Sequence, residues 1–299
     1  MSAVKTIQYA QPFSFVFDYL KLFLGRRAKF RKGQAFPSFT LRWDNVRIDQ
    51  RLLARYRNAA SIGDTGQLPI LYPQVLSLGM QLAILKHPTF PLSAFGAVHQ
   101  RNHVLQHRPI SDREKIDLEC GISGTCVVKH GLEFDVKTVA VSGPAVLWEG
   151  ISTYLFRGSI FGEPAGLPDI AQMPDLEQAV ETREWIVPTG MGRRYARISG
   201  DYNPIHISSV LAKLFKFPRA IAHGMWSAAV CATHVPLPDG PVRYDLAFKG
   251  PVFLGSEVRL LIGPGEPGTR FDLFCANNPR PCLKGWVRSA VAGDSLLPR

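Results

Sequence analysis

Asp201 and His206 lie five positions apart in Tyr195-Ala-Arg-Ile-Ser-Gly-Asp-Tyr-Asn-Pro-Ile-His206. A carboxylate and an imidazole on one short, stiffened segment can hold a water between them. Moving that water's protons is what adding or removing water across a double bond requires. Gly200 permits backbone angles closed to other residues. Pro204 fixes its own φ and turns Asn203 away from helix. The stretch from Asp201 to His206 is therefore expected to be a turn rather than a helix, with Asn203 bonding nearby backbone or a neighbouring side chain. Taken alone, Gly-Asp-x-Asn-Pro is equally the composition of an ordinary turn beside a packed histidine.

The elements that follow give the pair a setting. Ser208 to Phe215 has helical spacing with a Ser cap. Ile221-Ala-His-Gly224 then opens the run Met225 to His234, apolar nearly all round, which is expected to be a buried central helix. The first N–H groups of such a helix have no partner inside it. Gly224 at its mouth lets a ligand approach the backbone, where an N–H could polarise a thioester carbonyl.

Residues 195–226 resemble the MaoC-like, or hydratase 2, group of hot-dog-fold enzymes. The matching positions are Tyr195, Ser199, Gly200, Asp201, Asn203, Pro204, His206, Ala222, His223, Gly224 and Met225. Local resemblance is strong over residues 183–290. Residues 40–160 resemble the degenerate first half of a double hot dog. The resemblance implies an α+β fold of two curved antiparallel sheets, each wrapping a central helix. It implies a hydro-lyase that hydrates trans-2-enoyl thioesters to (R)-3-hydroxyacyl thioesters, or the reverse, in fatty-acid or related acyl metabolism. It assigns the water to Asp201 and His206, the orientation of that pair to Asn203, and donation to the thioester carbonyl to Gly224. Tyr195, Ser199, His223 and Met225 are expected at the substrate. No metal or redox cofactor is implied, CoA or phosphopantetheine being part of the substrate. Two rivals are a thioesterase and a non-catalytic acyl-thioester binding module; the intact Asp201, Asn203 and His206 argue against the second.

The coarse organisation is a basic amphipathic segment (1–35), a degenerate hot dog (36–161), a linker (162–178) and a catalytic hot dog (179–299). In the first half, strands are expected at 38–48, 95–109, 114–129, 132–142 and 146–158, with helices at 50–60 and 76–86. In the second, strands are expected at 183–188, 242–250, 256–263, 269–276 and 283–291. The first half has no Asp-x-Asn-Pro-x-His, so one active site per chain is expected, with the first half shaping a tunnel for a long or bulky acyl chain.

Charge is uneven. Residues 33–178 are balanced, with 13 basic and 14 acidic side chains, whereas residues 179–299 carry 15 against 9. A basic catalytic half suits CoA phosphates or an acidic acyl carrier protein, and Lys213, Lys216 and Arg219 are the candidate contacts. No aromatic-basic module points to nucleic acid. A homodimer is also open.

Phe13 to Leu24 is amphipathic and is followed by Arg26, Arg27, Lys29, Arg31 and Lys32. It is too short to span a bilayer, and its charges follow the apolar run, unlike a signal peptide. Residues 13–32 can lie on the inner face of an anionic membrane or dock on protein. Five cysteines without a CxxC pair suggest reduced thiols and a cytoplasmic setting. His99, His103 and His107 are expected to line one face of a strand as a structural row, not a metal site.

Overall fold

The computed structural model describes residues 5–9, 35–92, 97–158, 166, 169–276, 278–291 and 296. The amphipathic segment at 13–32 lies outside them. In chain order the first half contributes β1 (Lys5–Gln8), β2 (Phe39–Val46), α1 (Gln50–Ala60), α2 (Tyr72–Lys86), β3 (Ala97–Gln106), β4 (Ile116–Val128), β5 (Gly131–Ser142) and β6 (Ala145–Arg157). There follow α3 (Asp169–Gln172), β7 (Glu181–Ile186), α4 (Met191–Ser199), α5 (Pro204–Ile207), α6 (Ser209–Leu214) and α7 (Gly224–Ala232). The chain closes with β8 (Val242–Phe248), β9 (Glu257–Pro264), β10 (Thr269–Cys275) and β11 (Leu283–Ser289).

All the described strands join one sheet in the order β1-β2-β4-β5-β6-β3-β8-β11-β10-β9-β7. From β2 to β3 and from β7 to β8 the order repeats in mirror image, so the duplication is visible in topology rather than in sequence identity. The halves meet where β3 pairs antiparallel with β8, from Arg101 opposite Ala247 to Gln106 opposite Val242. The sheet, antiparallel except where β1 pairs parallel with β2, and its enclosed helices are the expected double hot dog.

Each half wraps a largely apolar, buried helix, that of the first half carrying a buried polar stripe of Gln74, Ser77 and Gln81. In α7, Trp226 to Cys231 are all buried. In α2, Pro73 occupies the first turn, where its missing N–H costs nothing. Around them lies one continuous apolar core drawing on both halves. Two aromatic contacts tie the halves near the site. Trp226 Nε1 donates to the Ala59 carbonyl at 2.8 Å. Tyr56 lies 5.0 Å from Tyr72 and 6.2 Å from Tyr195, ring to ring.

The outer face of the junction is charged. Arg101 makes a two-pronged pair with Glu133 at 2.8 and 2.6 Å, both side chains buried. Residues 169–178, expected as a linker, lie against the second half's sheet: Lys249 and Lys284 each donate to a carbonyl there at 2.7 Å, and Leu176 N–H donates to Asp272 at 2.8 Å.

Two local expectations change and one holds. The stretch from Asp201 is non-helical as expected only as far as Asn203; from Pro204 it is helical, because Pro204 sits at the first helical position, where a fixed φ favours helix. The helix expected at 208–215 is α6, with Ser208 ending α5 and capping α6 as its residue type suggested. The three histidines do not share a face. The β3–β6 register shifts between His99 and Arg101, and this bulge reverses the alternation. His99 turns inward against Tyr154 and Phe248, each ring 4.8 Å away. His103 and His107 face Asp245 and Glu149 on the other side at 2.7 and 3.0 Å.

Candidate active site

The site is built by α4, the loop after it, α5 and the mouth of α7. Gly200 ends α4 in the left-handed conformation, φ 80°, which reverses the chain without strain. Ser199 secures the reversal: its hydroxyl donates to the Tyr195 carbonyl at 3.0 Å and accepts from Asp201 N–H at 3.1 Å. Ser199 thus serves the loop rather than facing a ligand. One Asp201 oxygen accepts from Asn203 N–H at 3.2 Å. Asn203 in turn caps α5, its side chain accepting from Ile205 N–H at 3.3 Å. Asn203 therefore acts on the pair through the helical turn that carries His206.

His206 is held from both ends. Its Nδ1 lies 3.0 Å from the Ile221 carbonyl, which can only accept, so Nδ1 carries the proton and neutral His206 keeps its lone pair on Nε2. That Nε2 stands 3.9 Å from Asp201 Oδ2. The gap is too long for a direct hydrogen bond and suits a water about 2.8 Å from each atom. Burial lowers the His206 pKa from 6.5, with Asp201 pulling the other way.

His223 completes the inner wall. Its Nε2 donates to the Asp201 carbonyl at 2.9 Å, and its ring stacks on His206 at 3.8 Å. Its Nδ1 is buried without a hydrogen-bond partner. Burial and the neighbouring His206 push its pKa down to about 3, so it is neutral across the physiological range. Tyr195 lies behind it, ring centres 5.0 Å apart, its hydroxyl buried and unpartnered. Met225 packs against the core.

Gly224 begins α7 directly after His223. A Cβ there would come within 2.8 Å of the Phe248 ring, so only glycine fits without displacing Phe248. The same Phe248 ring carries His99, whose Nε2 is shut off from solvent and unpartnered. Burial lowers the His99 pKa to about 4, with the Asp201 charge among the opposing influences. Tyr154, bonded to Gln81 at 2.9 Å, also feels the Asp201 charge. The first half therefore places His99, stacked on Tyr154, against the Phe248 ring that packs on Gly224, a placement sequence reasoning missed.

A pocket of ≈ 490 Å³ is lined by His206 together with Thr189, Arg193, Ser208, Ser209 and Arg219. Arg219 bonds Ser256 at 2.5 Å and lies over the Phe253 ring. Lys213 and Lys216 are exposed and do not line it. Arg193 was not singled out in advance, although the acid-free run Gly192-Arg-Arg-Tyr-Ala-Arg197 was the available signal.

Among the described residues, Asp201, His206 and His223 also place one ligand atom each within 4.8 Å of one another, a spacing a divalent cation could use. His223 Nε2 is committed as a donor to a carbonyl, which leaves Asp201 and His206 Nε2 facing a common point. What that arrangement can do chemically is hold a water against a base.

The family model described as MaoC like domain matches residues 169–264. The 3-hydroxyacyl-thioester dehydratase X of Mycobacterium tuberculosis is 33% identical over 258 residues, covering 84% of this chain and 90% of that protein. The crystal structure of HtdX from the same organism superposes with a TM-score of 0.70 at 29% identity, over 84% of this chain and 100% of that one. The (R)-specific enoyl-CoA hydratase of Aeromonas caviae is 38% identical over 69 residues, 21% of this chain and 52% of that protein. A further M. tuberculosis protein described as a double hotdog fold has a TM-score of 0.51 at 10% identity, over 89% of this chain and 97% of that one, a likeness of fold alone.

Proposed function

The chain belongs to the MaoC-like dehydratase family and is a hydro-lyase of the hydratase/dehydratase kind, and we propose that it interconverts trans-2-enoyl and (R)-3-hydroxyacyl thioesters at Asp201 and His206. The observation that carries this reading is the locked tautomer of His206, whose free Nε2 faces Asp201 across the width of one water. In the hydration direction His206 Nε2 takes a proton from that water as its oxygen bonds to C3. Asp201 accepts the water's other hydrogen bond and stabilises the imidazolium as it forms. Gly224 N–H donates to the thioester oxygen, where negative charge gathers. The proton on His206 then passes to C2, so that one water has been added and the enzyme is restored. Dehydration is the same path reversed.

So written, the reaction calls on no metal or redox cofactor; CoA or phosphopantetheine enters with the substrate. A cytoplasmic setting is supported by the five free thiols. No helix among the described residues is long and apolar enough to cross a membrane.

The test is loss of enoyl absorbance with crotonyl-CoA and a long trans-2-enoyl-CoA, followed by chiral analysis of the product. Asp201→Asn and His206→Ala should each lower kcat by about 10²–10⁴-fold. Full activity in either variant, or release of free thiol in place of hydration, would refute the assignment.

A further inference from the structure

We propose that the face shared by α1 and α4 is a docking surface for an acidic acyl carrier protein, delivering the thioester to the site described above; this rests on the proposed reaction. The two helices pack side by side, one from each half. Between them runs a groove of ≈ 570 Å³ lined by Ala54, Arg55, Asn58, Arg194, Arg197 and Ile198. Its floor is apolar, and its walls are arginine. Arg51 stands one turn from Arg55 on the exposed side of α1. Neither helix contains an Asp or Glu, although residues 33–178 as a whole carry 14 acids against 13 bases. Asp49, next in sequence, is committed to capping α1. Arg194 and Asn58 are hydrogen-bonded across the groove, which fixes one wall against the other.

The groove adjoins the chemistry through α4. Arg193, one turn from Arg197, lines the pocket that reaches His206, while Arg194 and Arg197 line the groove. A partner resting on the groove would therefore lie one helical turn from a pocket that His206 lines, though Asp201 and Gly224 do not. Free CoA needs cations only for its own phosphates, and Arg193 and Arg219 line the pocket beside His206 where those phosphates would need them. Arg51, Arg55 and Arg197 would then face only water. A partner that is itself a large anion, with a short apolar contact to fit between Ala54 and Ile198, uses all of them. Charge complementarity of this kind raises the association rate and fixes orientation. It is also lost in salt.

The experiment compares the same trans-2-enoyl group on CoA and on an acyl carrier protein, with the unaltered protein and the Arg55→Glu/Arg197→Glu variant. Neither residue touches Asp201, His206 or Gly224. For the carrier thioester, kcat/KM should fall about 10–100-fold, chiefly through KM, while CoA kinetics stay within about two-fold. Binding of the unacylated holo-carrier protein at low salt reads the surface without the reaction and should fall in parallel. Equal loss on both thioesters, or no loss on the carrier thioester, overturns the docking surface. So does a variant that binds the carrier normally but has lost binding to vesicles of anionic lipid, which would assign the face to a membrane. If the unaltered protein hydrates neither thioester yet binds the carrier through these arginines, the reaction fails and the surface stands.

Discussion

His223 makes a measurable statement about acid stability. It is buried in the fold, with its pKa at about 3 against an ordinary 6.5. Above pH 6.5 the imidazole is neutral folded or unfolded, and it contributes no pH dependence. Below 6.5 the unfolded chain takes up a proton that the folded chain refuses until pH 3, so stability is lost as pH falls through that window. One proton is worth about 1.4 kcal/mol per pH unit. Between pH 7 and 5 the loss from this residue alone is about 2 kcal/mol, and by pH 4 about 3 kcal/mol. Carboxylates held low in the fold, such as Asp245, make their contribution lower down, near and below 3.8, and blur the window little. His223→Asn removes the titrating ring while leaving a side-chain donor for the Asp201 carbonyl. Its stability at pH 7 should be lower for lack of the stacked ring. Its fall from pH 7 to 5, followed by urea denaturation, should be about 2 kcal/mol shallower than that of the unaltered protein. Parallel pH curves for the two proteins would refute the reasoning, because they would mean that His223 titrates in the fold much as it does in water.

Gly192→Ala should lower kcat by about 10²-fold with the fold intact by circular dichroism, because a Cβ would come within 1.8 Å of the His206 carbonyl oxygen and push the base out of place. Glu133→Gln should cost about 3 kcal/mol in urea denaturation by leaving the buried Arg101 guanidinium without its counter-charge, and Arg101→Met in the same chain should recover much of it. The pH profile of kcat/KM for hydration should have an acid limb below 6.5, since the lowered His206 pKa keeps Nε2 unprotonated above that point; a limb at or above 7 would rule out His206 as the base.

The motif residues were legible because their chemistry is local. Ser199, Gly200, Asp201, Asn203 and Pro204 make a reversal and a cap within a few positions of one another, and that information is carried by adjacent residue types. The central helices were legible for a similar reason, since a run with almost no charged residue and apolar side chains on most sides has to be enclosed. Pro204 misled because it breaks a helix it follows but favours one it starts. His99 was illegible in principle: its direction depends on a bulge in the pairing with β6, and no residue type in Val98-His-Gln-Arg101 announces it. Nothing in the residues around Arg55 or around Arg197 links one to the other. Their common groove exists only because α1 and α4, far apart in sequence, pack together.

The seam between β3 and β8 has a consequence for how this catalyst behaves in dilute solution. A hot dog that must find a second copy assembles its sheet by a bimolecular encounter, and its specific activity falls once concentration drops below the dissociation constant. Here the second copy is on the same chain, so the encounter is intramolecular and its effective concentration is set by the connecting segment rather than by expression level. Specific activity per chain should therefore be constant on dilution. The same linkage removes a safeguard: a chain whose first half is damaged has no exchangeable partner, and its β8 edge is left open to pair with whatever strand it meets.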